Sequence, residues 1–315
     1  MREVMAAELD RWPVGPVFAA HERTRELTLE IILRSVLGVS EPGRLDVLRR
    51  MLPPVVDLGP RLMLMVPYPW LRRFGRWRRY WEHKAKVDAL LAEEITRRLD
   101  DPGLAERQDV LSTLVRRYRE AGEAAQDGEL RDQLITLLLA GHETTATALA
   151  WCLYLLARNP DAQRELQESM DAGRRDYAAA VVTEALRVRP VIANVARRLG
   201  APAVVGGRLL PAGVAVLPSM SLVHHDERNH ARAREFRPRR WLDGGHQQGM
   251  VFPFGGGPRR CLGAPFAVAE LNLAVEEIGR RFHVMPADGN PEQARMRHVT
   301  QVPAEGARIR LAARG

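Results

Sequence analysis

The chain has 315 residues, 46% of them hydrophobic, and just two cysteines. That length and apolar share suit one large domain with a substantial core, and two cysteines exclude a disulfide framework or a cysteine-rich zinc site. Lys and Arg exceed Asp and Glu by 47 − 39 = 8. The arginines are scattered over helical segments with no aromatic-interleaved basic stripe, which argues against nucleic acid and for an acidic protein partner.

In chain order, Arg2 to Leu9 reads as the end of a helix, and Arg11 to Ala19 as a Pro/Gly-punctuated connection. A helix is predicted from about His21 to Leu37, with Leu29, Ile32, Leu33 and Val36 on its apolar face and Gly38 as its stop. Leu45 to Leu58 begins helical and is interrupted at Pro53-Pro54. Trp77 to Leu99 is long and amphipathic, Asp109 to Arg119 short, and Leu130 to Ala157 very long and mostly apolar. Asp161 to Met170 follows Asn159-Pro160, and Tyr177 to Arg187 is a further helix. Val204 to Val216 reads as strand-turn-strand around Gly206-Gly207 and Pro211-Ala212-Gly213. Asp226 to Met250 is polar, Arg-rich and irregular. Cys261 to Phe282 is predicted helical, and the remainder forms a hairpin around Glu305-Gly306. Strand-like runs are confined to the second half, so the fold class is mainly α with small β-sheets. Met1 to Trp12 lacks the apolar core of a signal peptide, and Leu62 to Trp70 is too short to span a bilayer. A cytoplasmic chain with no transmembrane segment is expected. The Arg-, Ala- and Leu-rich usage suggests a bacterial source.

The most informative segment is Phe254 to Gly263, FGGGPRRCLG. A lone cysteine is usually a buried small hydrophobe. Cys261, however, closes a glycine-rich loop, follows two arginines and precedes a helix-compatible run, all of which favour a thiolate. The spacing Phe254, Gly257, Arg259, Cys261, Gly263 resembles the haem-ligand signature of the cytochrome P-450 family, with every fixed position matched. The resemblance implies that Cys261 is the axial thiolate of a haem b iron and that Arg259 meets a haem propionate.

Ala140-Gly141-His142-Glu143-Thr144-Thr145 lies within the long apolar helix. Gly and paired Thr are poor helix-interior residues, and Thr can bond back to the carbonyl at i−4. The segment resembles the family's oxygen-activation motif, which assigns proton delivery to Glu143 and Thr144 and places Gly141 beside the haem. The other reading is a Thr-rich kink with Glu143 in a surface salt bridge. Thr145, His142 and Cys152 are read as structural. Glu184 and Arg187 stand at i, i+3, a commonplace surface pair by itself. With Arg240 of Pro238-Arg239-Arg240-Trp241 they resemble the family's buried Glu–Arg–Arg lock. Arg197 matches a propionate-binding arginine, with Arg198 as the fallback. Val191, Ile192, Ala193 and Val195 would pass the substrate pocket. His224 and His225 find no third ligand at metal spacing and are read as structural.

The resemblance covers nearly the whole chain and implies one P-450-like domain, 1–315, lacking about a quarter of the usual fold at its N-terminus. The activity it implies is that of a haem-thiolate monooxygenase, inserting one oxygen atom from O2 into an apolar small molecule. No flavin or iron–sulfur motif is visible, so electrons are expected from a ferredoxin- or flavodoxin-type donor. The alternatives are an inactive haem-thiolate fragment and an H2O2-driven peroxygenase; the Glu143-Thr144 pair argues against the latter.

Overall fold

The computed structural model describes residues 1–56, 70, 74–122, 127–244, 249–287 and 289–314. Most of the apolar stretch 62–70 lies outside them. The described residues form two compact units, Met1–Asp10 with Arg25–Ala146, and Arg11–Thr24 with Thr147–Gly315.

The first unit is helical. It holds α1 (Arg2–Leu9), most of α2 (Ala20–Ile32), α3 (Pro42–Met51), α4 (Pro53–Val56), α5 (Gly75–Leu99), α6 (Val110–Glu120) and the first two-thirds of α7 (Asp127–Ala157). The core is built by periodicity. Val87, Leu91 and Ile95 recur every four residues on α5, and all three are fully buried, each contributing roughly 1.5–3 kcal/mol. They pack with Leu29, Ile32 and Leu33, with Leu111 and Val115 of α6, and with Leu130, Leu134 and Leu138 of α7. Two details depart from the sequence expectation. The helix predicted to run to Leu37 widens into a π-helical turn over Leu33–Leu37 before the left-handed Gly38 (φ 66°) ends it. Its last carbonyls are taken by arginines from elsewhere: Arg98 Nη2 donates to Leu37 O at 2.9 Å, and Arg107 Nη2 to Gly38 O at 2.6 Å. Pro53-Pro54 does not merely interrupt a helix; it opens the short α4, because proline costs nothing where no intrahelical N–H is required.

The second unit is mixed. It contains β1 (Val17–Ala19), the end of α7, α8 (Pro160–Asp171), α9 (Asp176–Val188) and strands β2 (Arg197–Arg198), β3 (Ala203–Val205), β4 (Arg208–Leu210) and β5 (Ala215–Val216). After these come α10 (Met220–His224), α11 (Ala264–Arg281), β6 (Phe282–Pro286), β7 (Ala294–Arg297), β8 (Thr300–Pro303) and β9 (Arg308–Ala313). Helices α8, α9 and α11 pack on one another. An antiparallel sheet of order β1-β9-β6 carries Ile309 and Leu311 inward between exposed Arg308 and Arg310, the two-residue alternation of a one-sided strand.

The strands correct several expectations. One strand, β1, lies in the first half of the chain, because Val17, Phe18 and Ala19 find partners at Arg310, Ile309 and Arg308. β3 and β4 form the predicted hairpin across Gly206-Gly207, but β5 turns away to pair with β2, which sequence alone did not mark. The last hairpin is β7–β8, turning at His298 (φ 57°), rather than one around Glu305-Gly306. α11 starts at Ala264, three residues after Cys261, and stops before Phe282, which enters β6.

Candidate functional site

Cys261 lies outside the helix because its loop cannot be helical. Gly255 and Gly257 hold φ of 70° and 65°, values that glycine adopts without strain. Pro258 then opens a single 3-10 turn, Gly257–Arg259. The Cys261 N–H donates to Phe254 O at 2.9 Å, which folds the loop back on itself. The chain enters α11 over Gly263, where an added Cβ would lie 4.0 Å from Cys261 Sγ, with Pro265 in the first turn. The result is an exposed thiol at a helix N-terminus, between exposed Arg259 and Leu262, the latter 87% exposed. Cys152, by contrast, is fully buried on α7, and burial pushes its thiol up to about 12.

The same unit holds a buried charge cluster. Glu184 on α9 pairs with Arg187 at 2.8 Å and Arg240 at 3.0 Å. Its carboxylate also accepts from Trp241 Nε1 and from the Arg237 N–H, each at 2.9 Å. Glu184 and Arg187 are wholly buried. Burial alone would raise the Glu184 carboxyl, but the Arg187 hydrogen bonds and charge outweigh it and hold the group below its ordinary range. The pair is therefore no surface pair. Arg187 reaches on, donating to His224 O at 2.7 Å and to Ala233 O and Glu235 O.

On the other unit, Thr144 Oγ1 donates to Ala140 O at 2.6 Å, the bond to residue i−4 that its place in a helix allows. The helix stays continuous through it. Gly141 serves a close approach: a Cβ there would meet Ile32 Cδ1 of α2 at 2.6 Å. That approach brings α2 side chains onto the motif. Glu143 pairs with Arg25 at 2.8 Å, and Thr28 Oγ1 meets both His142 Nδ1, at 3.0 Å, and His142 O, at 3.2 Å. His142 is thus a buried, bonded neighbour.

The loop set Phe254, Gly257, Arg259, Cys261 and Gly263 is contiguous and lies in the second unit with Arg197; Gly141, Glu143 and Thr144 lie in the first. Arg197 is exposed on β2 opposite Val216, its Nη1 donating to Ala196 O. Arg198 reaches Gly213 O at 3.3 Å. Of the apolar run expected beside a substrate, Val191 and Ala193 are buried. His224 and His225 bond separately to backbone groups, and among the described residues no group of three His, Cys, Asp or Glu could hold a metal ion. Sequence reasoning missed Arg25, whose partner lies 118 residues away, and Trp241 as a donor to Glu184; neither carries a local signal. It also missed Glu270 on α11, a buried carboxyl whose Oε1 has no hydrogen-bond partner among the described residues, and which burial pushes up to about 8.

The donor set fits a haem. A single exposed thiol stands at a helix start, and arginines 197 and 259 are open for acidic side groups. Leu217, Leu222 and Leu262 are exposed apolar surface in the same unit. A Cβ at Gly263 would lie against Cys261 Sγ, and one at Gly255, Gly256 or Gly257 would meet nothing within 4 Å, so the loop face is open. No helix among the described residues is long and apolar enough to cross a membrane.

Comparison with known proteins agrees with this chemistry. The family profile described as "Cytochrome P450" (here cytochrome P-450) matches residues 48–308. The provisionally named cytochrome P-450 135B1 of Mycobacterium tuberculosis is 41% identical over 317 residues, covering 99% of this chain and 67% of the relative. Cytochrome P-450 135A1 of the same organism is 41% identical over 309 residues, covering 98% of this chain and 69% of the relative. Among solved structures, the cytochrome P-450DA heme domain superposes with a TM-score of 0.85 at 26% identity, over 100% of this chain and 72% of that one. A retinoic-acid-bound cyanobacterial CYP120A1, at 22% identity, has a TM-score of 0.84 over 99% of this chain and 73% of its own, a likeness of fold.

Proposed function

The chain belongs to the cytochrome P-450 family, and on that premise we propose that it is a monooxygenase of apolar small molecules in which Cys261 is the haem ligand. Family membership carries the general activity, haem-thiolate monooxygenation with electrons from an external partner. The observation that carries the residue assignment is the exposed Cys261 thiol, set at the head of α11 by the bond from its own N–H to Phe254 O. When bound, haem supplies the activation of dioxygen and the insertion of one oxygen atom into the substrate.

The chain's own residues hold the group and manage protons. Cys261 Sγ would ligate the iron, with Gly257 turning the loop and Gly263 keeping a Cβ away from the sulfur. Arg259 and Arg197 would bind the propionates by charge-assisted hydrogen bonds. Each turnover consumes two electrons and two protons and releases one water. The Glu143 carboxylate, steadied by Arg25, takes protons from solvent and passes them to Thr144 Oγ1. To donate onward, Thr144 Oγ1 gives up its bond to Ala140 O. Gly141 supports this indirectly, through the approach of α2. A ferredoxin- or flavodoxin-type donor suits the exposed Arg260 of the thiol loop, next to the propionate-binding Arg259, since such partners are acidic and charge steers their encounter.

The test is the reduced, CO-bound spectrum. The parent is expected to show the red-shifted thiolate Soret band, and Cys261→Ser to lose it while keeping its helical content. A parent-like band in Cys261→Ser overturns the assignment.

A further inference from the structure

Residues 250–254 lead into the thiol loop outside any helix or strand and end in a turn, so their backbone groups must find partners elsewhere. Two histidines provide them. The Phe252 N–H donates to His224 Nε2 at 3.0 Å, and His230 Nε2 faces Met250 O at 3.3 Å. His224 is fully buried and His230 is 1% exposed. A neutral imidazole has one donor and one acceptor nitrogen. Accepting from Phe252 fixes the proton of His224 on Nδ1; donating to Met250 fixes that of His230 on Nε2. The two rings therefore hold opposite tautomers and grip a donor and an acceptor two residues apart.

We propose that His224 and His230 are positioning residues for the Cys261 loop, setting where the thiol stands by pinning the backbone that enters it. The residue type is otherwise unexplained. Both Nδ1 atoms are buried with no hydrogen-bond partner among the described residues. The ring of His224 lies edge-on to Phe252 at 5.3 Å, a contact any aromatic ring could make without burying an idle nitrogen. Only the Nε2 contacts call for imidazole.

Both residues adjoin the charge cluster. His224 O accepts from Arg187 Nη1, and the His230 ring stands 6.5 Å from that of Trp241, whose Nε1 donates to Glu184. The far side leads to the thiol: Phe252 O accepts from Gly255 N–H at 2.9 Å, and Phe254 O from Cys261 N–H at 2.9 Å. A shift of residue 252 therefore moves the turn that carries Phe254 O, the acceptor of the Cys261 N–H. The inference rests on Cys261 being the ligand.

The experiment compares His224→Leu, which deletes the acceptor, with His224→Gln, whose Oε1 can stand where Nε2 stood, in the haem-loaded protein. In His224→Leu the reduced CO complex is expected to shift from the thiolate Soret band to the shorter-wavelength band of a displaced or protonated sulfur. His224→Gln is expected to restore the thiolate band. An unchanged band in His224→Leu, or a His224→Gln no better than a folded His224→Leu, overturns the proposal. Hydrogen exchange of the unsubstituted protein removes the dependence on folding of a variant. The Phe252 amide is expected to be as protected as the amides of α9, and exchange at the rate of an open loop overturns the proposal equally. That readout does not depend on which residue binds iron, whereas a thiolate band surviving in Cys261→Ser would refute the ligand assignment instead.

Discussion

Arg25 and Glu143 form an ion pair of 2.8 Å, with side chains 24% and 13% exposed. The acid of the motif is thus tied to the neighbouring helix α2, at a point where α2 is already held close by the gap at Gly141. A partly exposed pair of this kind is worth under about 1 kcal/mol of stability. Arg25→Gln should therefore fold nearly as well as the parent.

Its effect should appear in coupling. With the carboxylate no longer steadied beside Thr144, reducing equivalents are expected to leave as H2O2, and the yield of product per electron to fall. Thr144→Ala should do the same more strongly while substrate-induced spin shifts persist, and Glu143→Gln should slow turnover by roughly 10²-fold. Peroxide and product measured against electrons consumed decide this. Unchanged coupling in both Arg25→Gln and Thr144→Ala would remove these residues from the proton path.

Glu184→Ala strands two buried arginines that now share one carboxylate. The cost is expected at roughly 3–5 kcal/mol, a large share of the stability of an ordinary domain. Expression should yield little folded protein. Glu184→Gln, which retains an acceptor but no charge, should fall between it and the parent in denaturant midpoint. A Glu184→Ala variant as stable as the parent would mean that the cluster contributes nothing.

Acid should unfold the protein through its buried histidines. Burial, with Arg187 nearby, pushes His224 down to about 4, and burial also lowers His225 and His230. The folded state therefore keeps these rings neutral while the unfolded chain takes up protons near pH 6.5. Stability is fully present above that value and is lost as pH falls from about 6.5 towards 4, by about 3 kcal/mol for His224 alone. Urea denaturation at stepped pH checks this: His224→Gln should show a shallower decline than the parent over that window.

Glu270 acts in the opposite direction. Its carboxyl, pushed up to about 8 by burial, is protonated in the fold when the unfolded chain has already ionised it. Stability from this group is present at low pH and declines as pH rises from about 4.5 to 8. Glu270→Gln should thus match the parent near pH 4.5 and exceed it by roughly 2–4 kcal/mol at pH 8. Equal stability of the two proteins at pH 8 would show that the carboxyl is ionised and accommodated.

How much could be read from the sequence depended on the range of each interaction. Gly38 ends α2 and Asp109 caps α6, its side chain accepting from Ser112 N–H, because capping is decided within a few residues. The burial of Glu184, Arg187 and Arg240 was legible through a family resemblance, not through spacing, since a pair at i, i+3 looks the same on a surface. The pairing of β2 with β5 was not legible: two-residue strands carry no alternation to detect. Arg25, His224 and His230 gained their roles only when distant segments met. Residues near Cys261 were found early because a loop that must present one sulfur leaves a contiguous glycine-rich trace.

Strand β1 has a consequence for how the chain is made. Among the described residues Val17–Ala19 pairs only with β9, and the N–H groups of Ala20 and His21 extend the same seam to Ala307 and Gly306. A ribosome delivers Ala19 long before Arg308, a delay on the order of tens of seconds at ordinary elongation rates. Throughout that interval the start of the second unit has no seam to close on. The sheet that joins early and late residues is completed only after Arg308–Ala313 has been made.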